Sequence, residues 1–341
     1  MPKVAIVILN WNGCSLLEKF LPLVITHSPG AEIIVADNAS TDDSISYLTH
    51  HFKNVRTIRF SSNHGFAGGY NRALEQVHAS YFMLLNTDVE VLPGWLTPLV
   101  DFLDSHPEVA ACQPKIRSFD QRHLFEHAGA AGGFIDRYGY PFCRGRMFTT
   151  LETDHGQYDQ PTPIFWATGA CMLIRSDVFK KLNGFDERFF AHMEEIDLCW
   201  RIHRAGYRVY CIPESTVFHI GGATLPKQSA RKTYFNFRNN LMMLHNNLPP
   251  AVLLPTLLIR LFLDGLACLK FFLEGHVKDA GAVLQAHAWF HLNVLLTGGR
   301  RKILSRQLPF CMPSTIYQGS IVWDYFFRGK KTYSQLNFTP A

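Results

Sequence analysis

VAIVILNWNG, residues 4–13, is a run of six apolar residues broken off by Asn10, Trp11 and Asn12. So short a run of branched and aliphatic side chains reads as a strand buried on both faces. The pattern recurs downstream. EIIVAD (32–37), VRTIRF (55–60) and YFMLLN (81–86) are further strand-like runs, with helical stretches predicted over residues 16–26, after Thr41 and over 71–77. Strands alternating with helices predict parallel βαβ units, an α/β fold whose ligands bind beyond the carboxyl ends of the strands. Polar residues stand at those ends: Asn10-Trp11-Asn12, Asp37-Asn38 and Asn86-Thr87-Asp88.

The 341 residues are 47% hydrophobic and 18% charged, enough for one large or two ordinary domains with buried cores. Eight cysteines are scattered without a CxxC pair, which points away from a zinc knuckle or disulfide framework and toward a reducing cytosol. The six apolar residues after Lys3 are too few for a signal-peptide core. Charge divides the chain. Residues 1–226 carry 19 Lys and Arg against 24 Asp and Glu, whereas residues 227–341 carry 14 against 4. A basic, hydrophobic tail behind a mildly acidic domain points to nucleic acid or an anionic membrane surface as partner.

Each polar strand end has an ordinary reading beside a functional one. Asp37-Asn38 suits a turn and helix cap; alternatively Asp37 accepts from the imide N–H of a pyrimidine base stacked on Trp11. The segment Asn63-His64-Gly65-Phe66-Ala67-Gly68-Gly69-Tyr70-Asn71 is a glycine-rich entry to a helix, where main-chain N–H groups can approach a diphosphate. It lacks the Gly-Lys-Ser/Thr of a P-loop. Asp88, on a short loop after a buried strand, suits Mg²⁺ or Mn²⁺ with a diphosphate completing the shell. In FFAHMEEIDLCWRIHRAGYRV (189–209), Ile196, Cys199, Trp200, Ile202 and His203 fall at approximately helical spacing, with Arg201 and Arg204 on other faces. Glu194, Glu195 and Asp197 crowd the first turn of that helix, as dipole partners or as a source of a general base. RVYCIPESTVFH (208–219) is strand-like and ends at His219, either structural or a ligand.

Taken in order, VAIVILNWN, VADNASTDDS, NHGFAGGYN, LLNTDVEV, ATGACMLIRSDVF, GFDERFFAHMEEIDLCWR and VFHIGGAT resemble the inverting glycosyltransferases of the GT-A fold (glycosyltransferase family 2), in particular a bacterial rhamnosyltransferase-like branch. The resemblance covers roughly residues 3–245. It implies a Rossmann-like, mostly parallel mixed sheet flanked by helices, and a nucleoside-diphosphate sugar as donor. Asn10, Trp11, Asn12, Asp37, Asn38, Gly65, Gly68, Gly69, Asn71, Asn86, Thr87 and Asp88 would bind the nucleotide. Asp88 and His219 would hold Mg²⁺ or Mn²⁺, and Glu195 would be the catalytic base. Trp166, Gly169, Glu194 and Asp197 would lie near the donor sugar or acceptor. Two departures stand out: Asn86 occupies the first acidic place of a DxD loop, and Glu194-Glu195 replaces the usual Glu-Asp. The implied acceptor is a glycan or polyprenyl-linked sugar in cell-surface polysaccharide synthesis, with rhamnose from dTDP-rhamnose as the expected donor; no nucleic-acid partner is expected. A nucleotidyltransferase would want a basic, glycine-rich first turn where Asn10-Trp11-Asn12-Gly13 stands. A non-catalytic sugar-nucleotide-binding scaffold would not need Asp88, Glu195 and His219 together.

The expected catalytic domain spans 1–246. Residues 247–341 then form a basic, hydrophobic helical extension. Arg260, Asp264 and Lys270 interrupt its first apolar run, and residues 280–299 hold Gln285, His287, His291 and Asn293, so both stretches are poor crossing helices. The reading is one or two helices lying in the interface, with Arg300, Arg301, Lys302 and Arg306 toward anionic headgroups, and an enzyme peripheral on the cytoplasmic face of the plasma membrane. The competing readings are a helical cap or a dimer contact; oligomeric state is left open. A chain cut after Asn246 is expected to be more soluble.

Overall fold

A computed structural model describes residues 2–221 and 229–340, without the side chains of residues 295–297. The elements run β1 (Val4–Asn10), α1 (Cys14–His27), β2 (Glu32–Asp37), α2 (Ser44–His51), β3 (Arg56–Arg59), α3 (Gly65–Glu75), β4 (Tyr81–Asn86), β5 (Val89–Val91), α4 (Thr97–Ser105) and β6 (Val109–Ser118). Four short strands follow, β7 (Gly133–Asp136), β8 (Pro141–Cys143), β9 (Arg146–Met147) and β10 (Thr150–Leu151). Then come β11 (Thr162–Ile164), β12 (Cys171–Arg175), α5 (Ser176–Lys181), α6 (Glu194–Arg204) and β13 (Arg208–His219). The chain ends in α7 (Ala230–Asn247), α8 (Pro250–Leu273), α9 (Val277–Gln307), β14 (Ile316–Tyr317) and α10 (Ile321–Phe326).

The main sheet has the order β11-β13-β6-β12-β4-β1-β2-β3, with β5 on β13. Strands β1 to β4 are mutually parallel, and β12 enters antiparallel between β4 and β6. This is the mixed α/β sheet expected, with helices on both faces and β1 buried from Val4 to Ile8. Helix α3 starts at Gly65, ahead of the expected start at 71, because its glycines serve packing instead of a loop. A Cβ on Gly69 would lie 2.8 Å from Leu9 Cδ1, so its absence lets α3 sit directly on β1.

A second sheet, β10-β9-β8-β7-β14, takes its edge from the far end of the chain, since β14 pairs parallel with β7. Asp136 Oδ2 accepts from Ile321 N at 2.9 Å, and Glu152 Oε1 accepts from Tyr333 N at 3.1 Å. The stretch expected as one extension after 246 therefore divides. Helices α8 and α9 form a pair with α7, and the residues beyond 312 return to complete a catalytic-domain sheet.

Helix α8 is inside out. Its buried residues are Thr256, Arg260 and Asp264, whereas Leu254, Leu258, Leu261, Phe262, Leu269, Phe272 and Leu273 are exposed. Arg260 and Asp264 pair at 3.1 Å; Asp264 also meets His287 Nε2 at 2.9 Å and Tyr140 Oη at 2.5 Å, and Arg260 donates to Tyr138 O and Asn240 Oδ1. Two of the three charges counted against lipid contact, Arg260 and Asp264, thus face protein, while Lys270 stays exposed beside Glu274. Among the described residues α8 is the one helix long and apolar enough to cross a membrane. Helix α9 instead packs Ala282, Val283, Ala286, His287 and Phe290 inward, which removes 280–299 as a second crossing candidate.

Candidate active site

At the ends of β1 and β2, Asn10 and Asp37 are buried and joined by Asn10 Nδ2 to Asp37 Oδ1 at 3.0 Å. Asp37 Oδ2 accepts from Ser40 N at 3.0 Å, and Ser40 Oγ accepts from Asn10 Nδ2 and Asn12 N. Asn12, left-handed at φ 52°, accepts from Thr41 N at 2.7 Å, closing a small polar ledge. Trp11 stands beside it, 40% exposed, and no other large hydrophobic among the described residues before Val252 is exposed. An aromatic left open at a strand end is available for stacking.

The glycine segment is used differently from the expectation. Phe66 N and Ala67 N donate to Phe190 O, Gly65 N to Asn63 Oδ1 and His64 N to Asn38 Oδ1, so the first N–H groups of α3 are engaged by protein. Asn38 Nδ2 donates to Gly65 O, and Asn71 holds both N and O of Phe185 at 2.9 Å. A Cβ on Gly65 would meet Phe190 O at 2.5 Å, and one on Gly68 would meet Arg72 Nη1 at 2.9 Å. These residues anchor α3 to the loop that precedes α6 and leave no amide cradle open to a diphosphate.

Asp88 follows Asn86 and Thr87 at the end of β4, and His219 ends β13; both are buried. Asp88 Oδ1 lies 3.1 Å from His219 Nε2, and Asp88 Oδ2 accepts from Gly221 N at 3.2 Å. On the other side of the ring, His219 Nδ1 approaches Glu126 Oε2 at 3.2 Å, an ion-pair contact without hydrogen-bond alignment. Burial opposes the imidazolium, but the hydrogen bond to Asp88 and the charges of Asp88 and Glu126 outweigh it and raise His219 to about 10. Burial likewise opposes ionisation of Glu126, and His219 overrides it, drawing the carboxyl down to about 2. Glu126 was invisible in the sequence, since only the fold brings it behind His219. Residues 222–224 of VFHIGGAT lie outside the described residues.

The donor set suits a divalent ion. Asp88 and Nε2 of His219 converge; a divalent ion bound there would displace the proton that Nε2 shares with Asp88, and a carboxylate on the far ring nitrogen is the arrangement that orients a metal-binding histidine. Two protein donors leave the other positions to diphosphate oxygens and water.

The turn into α6 is strained: Phe190, His192 and Met193 all have positive φ, at 64°, 69° and 72°. Asn239 on α7 holds it by donating to the carbonyls of Phe189, Ala191 and His192 at 2.9, 2.9 and 2.7 Å. The three acids then separate. Asp197 is fully buried and bound to Arg201 Nε at 2.8 Å and Asn247 Nδ2 at 2.7 Å. Glu194 is buried, and desolvation together with the charge of Glu195 pushes its carboxyl well above the usual range. Glu195 is half-buried with one carboxylate oxygen unpartnered. Burial raises Glu195 to about 7, partly offset by main-chain N–H groups at the helix start. Arg201 and Arg204, expected on other faces of α6, are buried too: Arg201 donates to the carbonyls of Leu182 and Gly184, and Arg204 to Leu304, Leu308 and Pro309 near the end of α9. Trp166 is buried with Nε1 on Phe134 O at 3.0 Å, and Gly169 packs under Phe66, so both shape the wall between the sheets.

A mixed sheet with polar strand ends, a carboxylate–imidazole pair and an acid-bearing helix turn defines a GT-A glycosyltransferase. The chain belongs to glycosyl transferase family 2, whose profile matches residues 5–182, and to its rhamnosyltransferase-like branch. It is 29% identical over 220 residues, 60% of this chain and 71% of the relative, to N-acetylglucosaminyl-diphospho-decaprenol L-rhamnosyltransferase of Mycobacterium tuberculosis (strain CDC 1551 / Oshkosh). Rhamnosyltransferase WbbL of Escherichia coli (strain K12) is 24% identical, covering 63% of this chain and 83% of its own. Among solved structures, TarS 1-349 of S. aureus in complex with UDP-GlcNAc superposes with a TM-score of 0.54 at 15% identity, covering 83% of this chain and 81% of that one. Mannosyltransferase PcManGT from Pyrobaculum calidifontis in complex with GDP-Man and Mn²⁺ gives 0.51 at 16%, covering 90% and 84%. These structural likenesses support the fold.

Proposed function

We propose that the enzyme transfers a sugar, with inversion, from a nucleoside-diphosphate sugar to a glycan or polyprenyl-linked acceptor, with rhamnose from dTDP-rhamnose as the favoured donor. The observation that carries the reading is Glu195, whose carboxylate has an unpartnered buried oxygen and titrates at about 7. A base needs a vacant lone pair and a pKa near the working pH. Asp197 lacks the first, and Glu194, pushed well above the usual carboxylate range by burial and by Glu195, lacks the second. Glu195 takes the proton of the acceptor hydroxyl as its oxygen attacks the anomeric carbon in line with the departing diphosphate. Trp11 stacks on the base and Asp37 accepts from it. Asp88 and His219, with Glu126 behind the ring, would hold Mg²⁺ or Mn²⁺. The ion would supply positive charge to the leaving diphosphate.

The exposed apolar face of α8 supports seating on an anionic membrane from the cytoplasmic side, in service of cell-envelope polysaccharide synthesis. Incubating the protein and Mn²⁺ with a panel of nucleotide sugars and lipid-linked acceptors, with products read by mass and anomeric configuration by NMR, tests the proposal. Retention of configuration would overturn the inverting mechanism.

A further inference from the structure

Between the first turns of α7 and α9 lies an open cleft of about 590 Å³, lined by Ala230, Arg231, Tyr234, Lys278, Gly281, Ala282 and Gln285. No residue of the site described above takes part in it. Arg231 and Lys278 are exposed, and neither has an ion-pair partner among the described residues. The acid next to Lys278, Asp279, accepts from Thr233 Oγ1 at 2.5 Å and is not ion-paired to either cation among the described residues. A guanidinium, an ammonium, a phenol and a primary amide around one opening are donors suited to phosphate oxygens.

The cleft joins two other features. On its outer side, exposed Val277 and Leu284 of α9 continue into Phe272 and Leu273 of α8, and Cys268 Sγ donates to Ala280 O to hold the two helices together there. From that edge the apolar face runs the length of α8, 24 residues, or about 36 Å at 1.5 Å per residue. On its inner side, the Arg231 guanidinium lies 5.5 Å from the centre of the Phe190 ring. The carbonyl of Phe190 caps α3, and the strained turn that begins with Phe190 leads into Glu195.

We propose that this cleft binds the diphosphate of a lipid-linked acceptor, with the hydrocarbon chain along the apolar faces of α8 and α9. Arg231 and Lys278 neutralise the diphosphate, Tyr234 and Gln285 donate to it, and the sugar it carries is directed past Phe190 toward the base. The inference rests on the transferase reading for its purpose but not for its binding chemistry. It gives a role to two cations that lack ion-pair partners among the described residues and lie between the apolar faces of α8 and α9 and the Phe190 turn.

The test uses the full chain in detergent micelles, with farnesyl diphosphate, inorganic diphosphate and farnesol as probes. Lys278→Gln and the double variant Arg231→Gln/Lys278→Gln are compared with wild type by calorimetry. Lys278 is exposed, so the single variant guards against misfolding of the double. Farnesyl diphosphate should bind more tightly than either fragment, weakening several-fold in the single variant and roughly 10- to 100-fold in the double, the worth of one or two charge-assisted contacts. Nucleoside-diphosphate affinity should stay unchanged. Where transfer is measurable, the loss should fall on KM for the lipid-linked acceptor. Equal binding of farnesyl diphosphate by all three proteins overturns the site. Loss of binding to phosphatidylglycerol vesicles without loss of farnesyl diphosphate makes the cleft a general headgroup contact and overturns it equally. If no sugar is transferred under any condition while binding still depends on both cations, the site stands and the transferase assignment fails.

Discussion

Asn247, the last residue of α7, donates its amide to Asp197 Oδ1 on α6 at 2.7 Å, fifty residues away in sequence and fully buried. The contact removes Asp197 from the candidate bases and ties the catalytic helix to the helical C-terminal region. Asp197→Ala should therefore act on stability, by about 3–5 kcal/mol, because Arg201 is left as an unpaired buried charge. Cutting after Asn246, first expected to aid solubility, should instead give aggregated protein. It removes Asn247, the α9 carbonyls that satisfy Arg204, and the β14 edge. Thermal denaturation and size exclusion check both; a monomeric truncated chain with native melting would refute the coupling.

Glu195→Gln keeps shape but cannot take a proton, so donor affinity by calorimetry should stay within a few-fold while transfer falls by about 10²–10⁴. The variant should also melt higher at pH 8. Burial raises the carboxyl from 4.5 to about 7, so the folded state holds the proton more tightly and loses stability as pH rises between those values. A residue that only supported the helix dipole predicts the reverse, a loss of about 0.3–1 kcal/mol with near-normal turnover. Glu194→Gln should cost less activity.

The pH profile follows from the same group. Because the base must be ionised, and burial places its pKa at about 7, kcat/KM should fall about tenfold per unit below that pH and level off above it. A profile flat from pH 5 to 8 would count against Glu195.

Metal binding should separate the three residues around His219. Asp88→Asn and His219→Ala each remove a donor, and Mn²⁺ affinity measured by calorimetry or EPR should collapse in both. Glu126→Gln leaves both donors but loosens the ring, for an expected loss of about 10- to 100-fold. Wild-type Mn²⁺ affinity in all three variants would make the metal assignment wrong.

Membrane seating should depend on α8's outer face. Leu258→Glu/Phe262→Glu places charge on exposed positions without touching Arg260 or Asp264. Partition onto anionic vesicles should drop severalfold while melting is unchanged. High salt should weaken wild-type binding, since part of the attraction is electrostatic. Undiminished partition of the variant would move the contact elsewhere.

The strands and their polar ends were legible in the sequence because both signals are local. A buried parallel strand needs a continuous apolar run, and Asn10, Asp37 and Asp88 break those runs at the sheet edge where ligands bind. The acids of α6 were legible as a cluster for the same reason. Which of the acids stays free of protein partners depended on tertiary structure, through Arg201 and Asn247 on Asp197 and through the differing burial of Glu194 and Glu195. The roles of Gly65 and Asn71 likewise depended on Phe190 and Phe185, which arrive from over a hundred residues away, and Phe190 O takes up the N–H groups of Phe66 and Ala67. Glu126 behind His219, the inward Arg260 and Asp264 of α8, and the return of β14 to β7 share that origin. Hydrogen-bond partners and burial are properties of where chain segments meet, and no spacing along the sequence carries them.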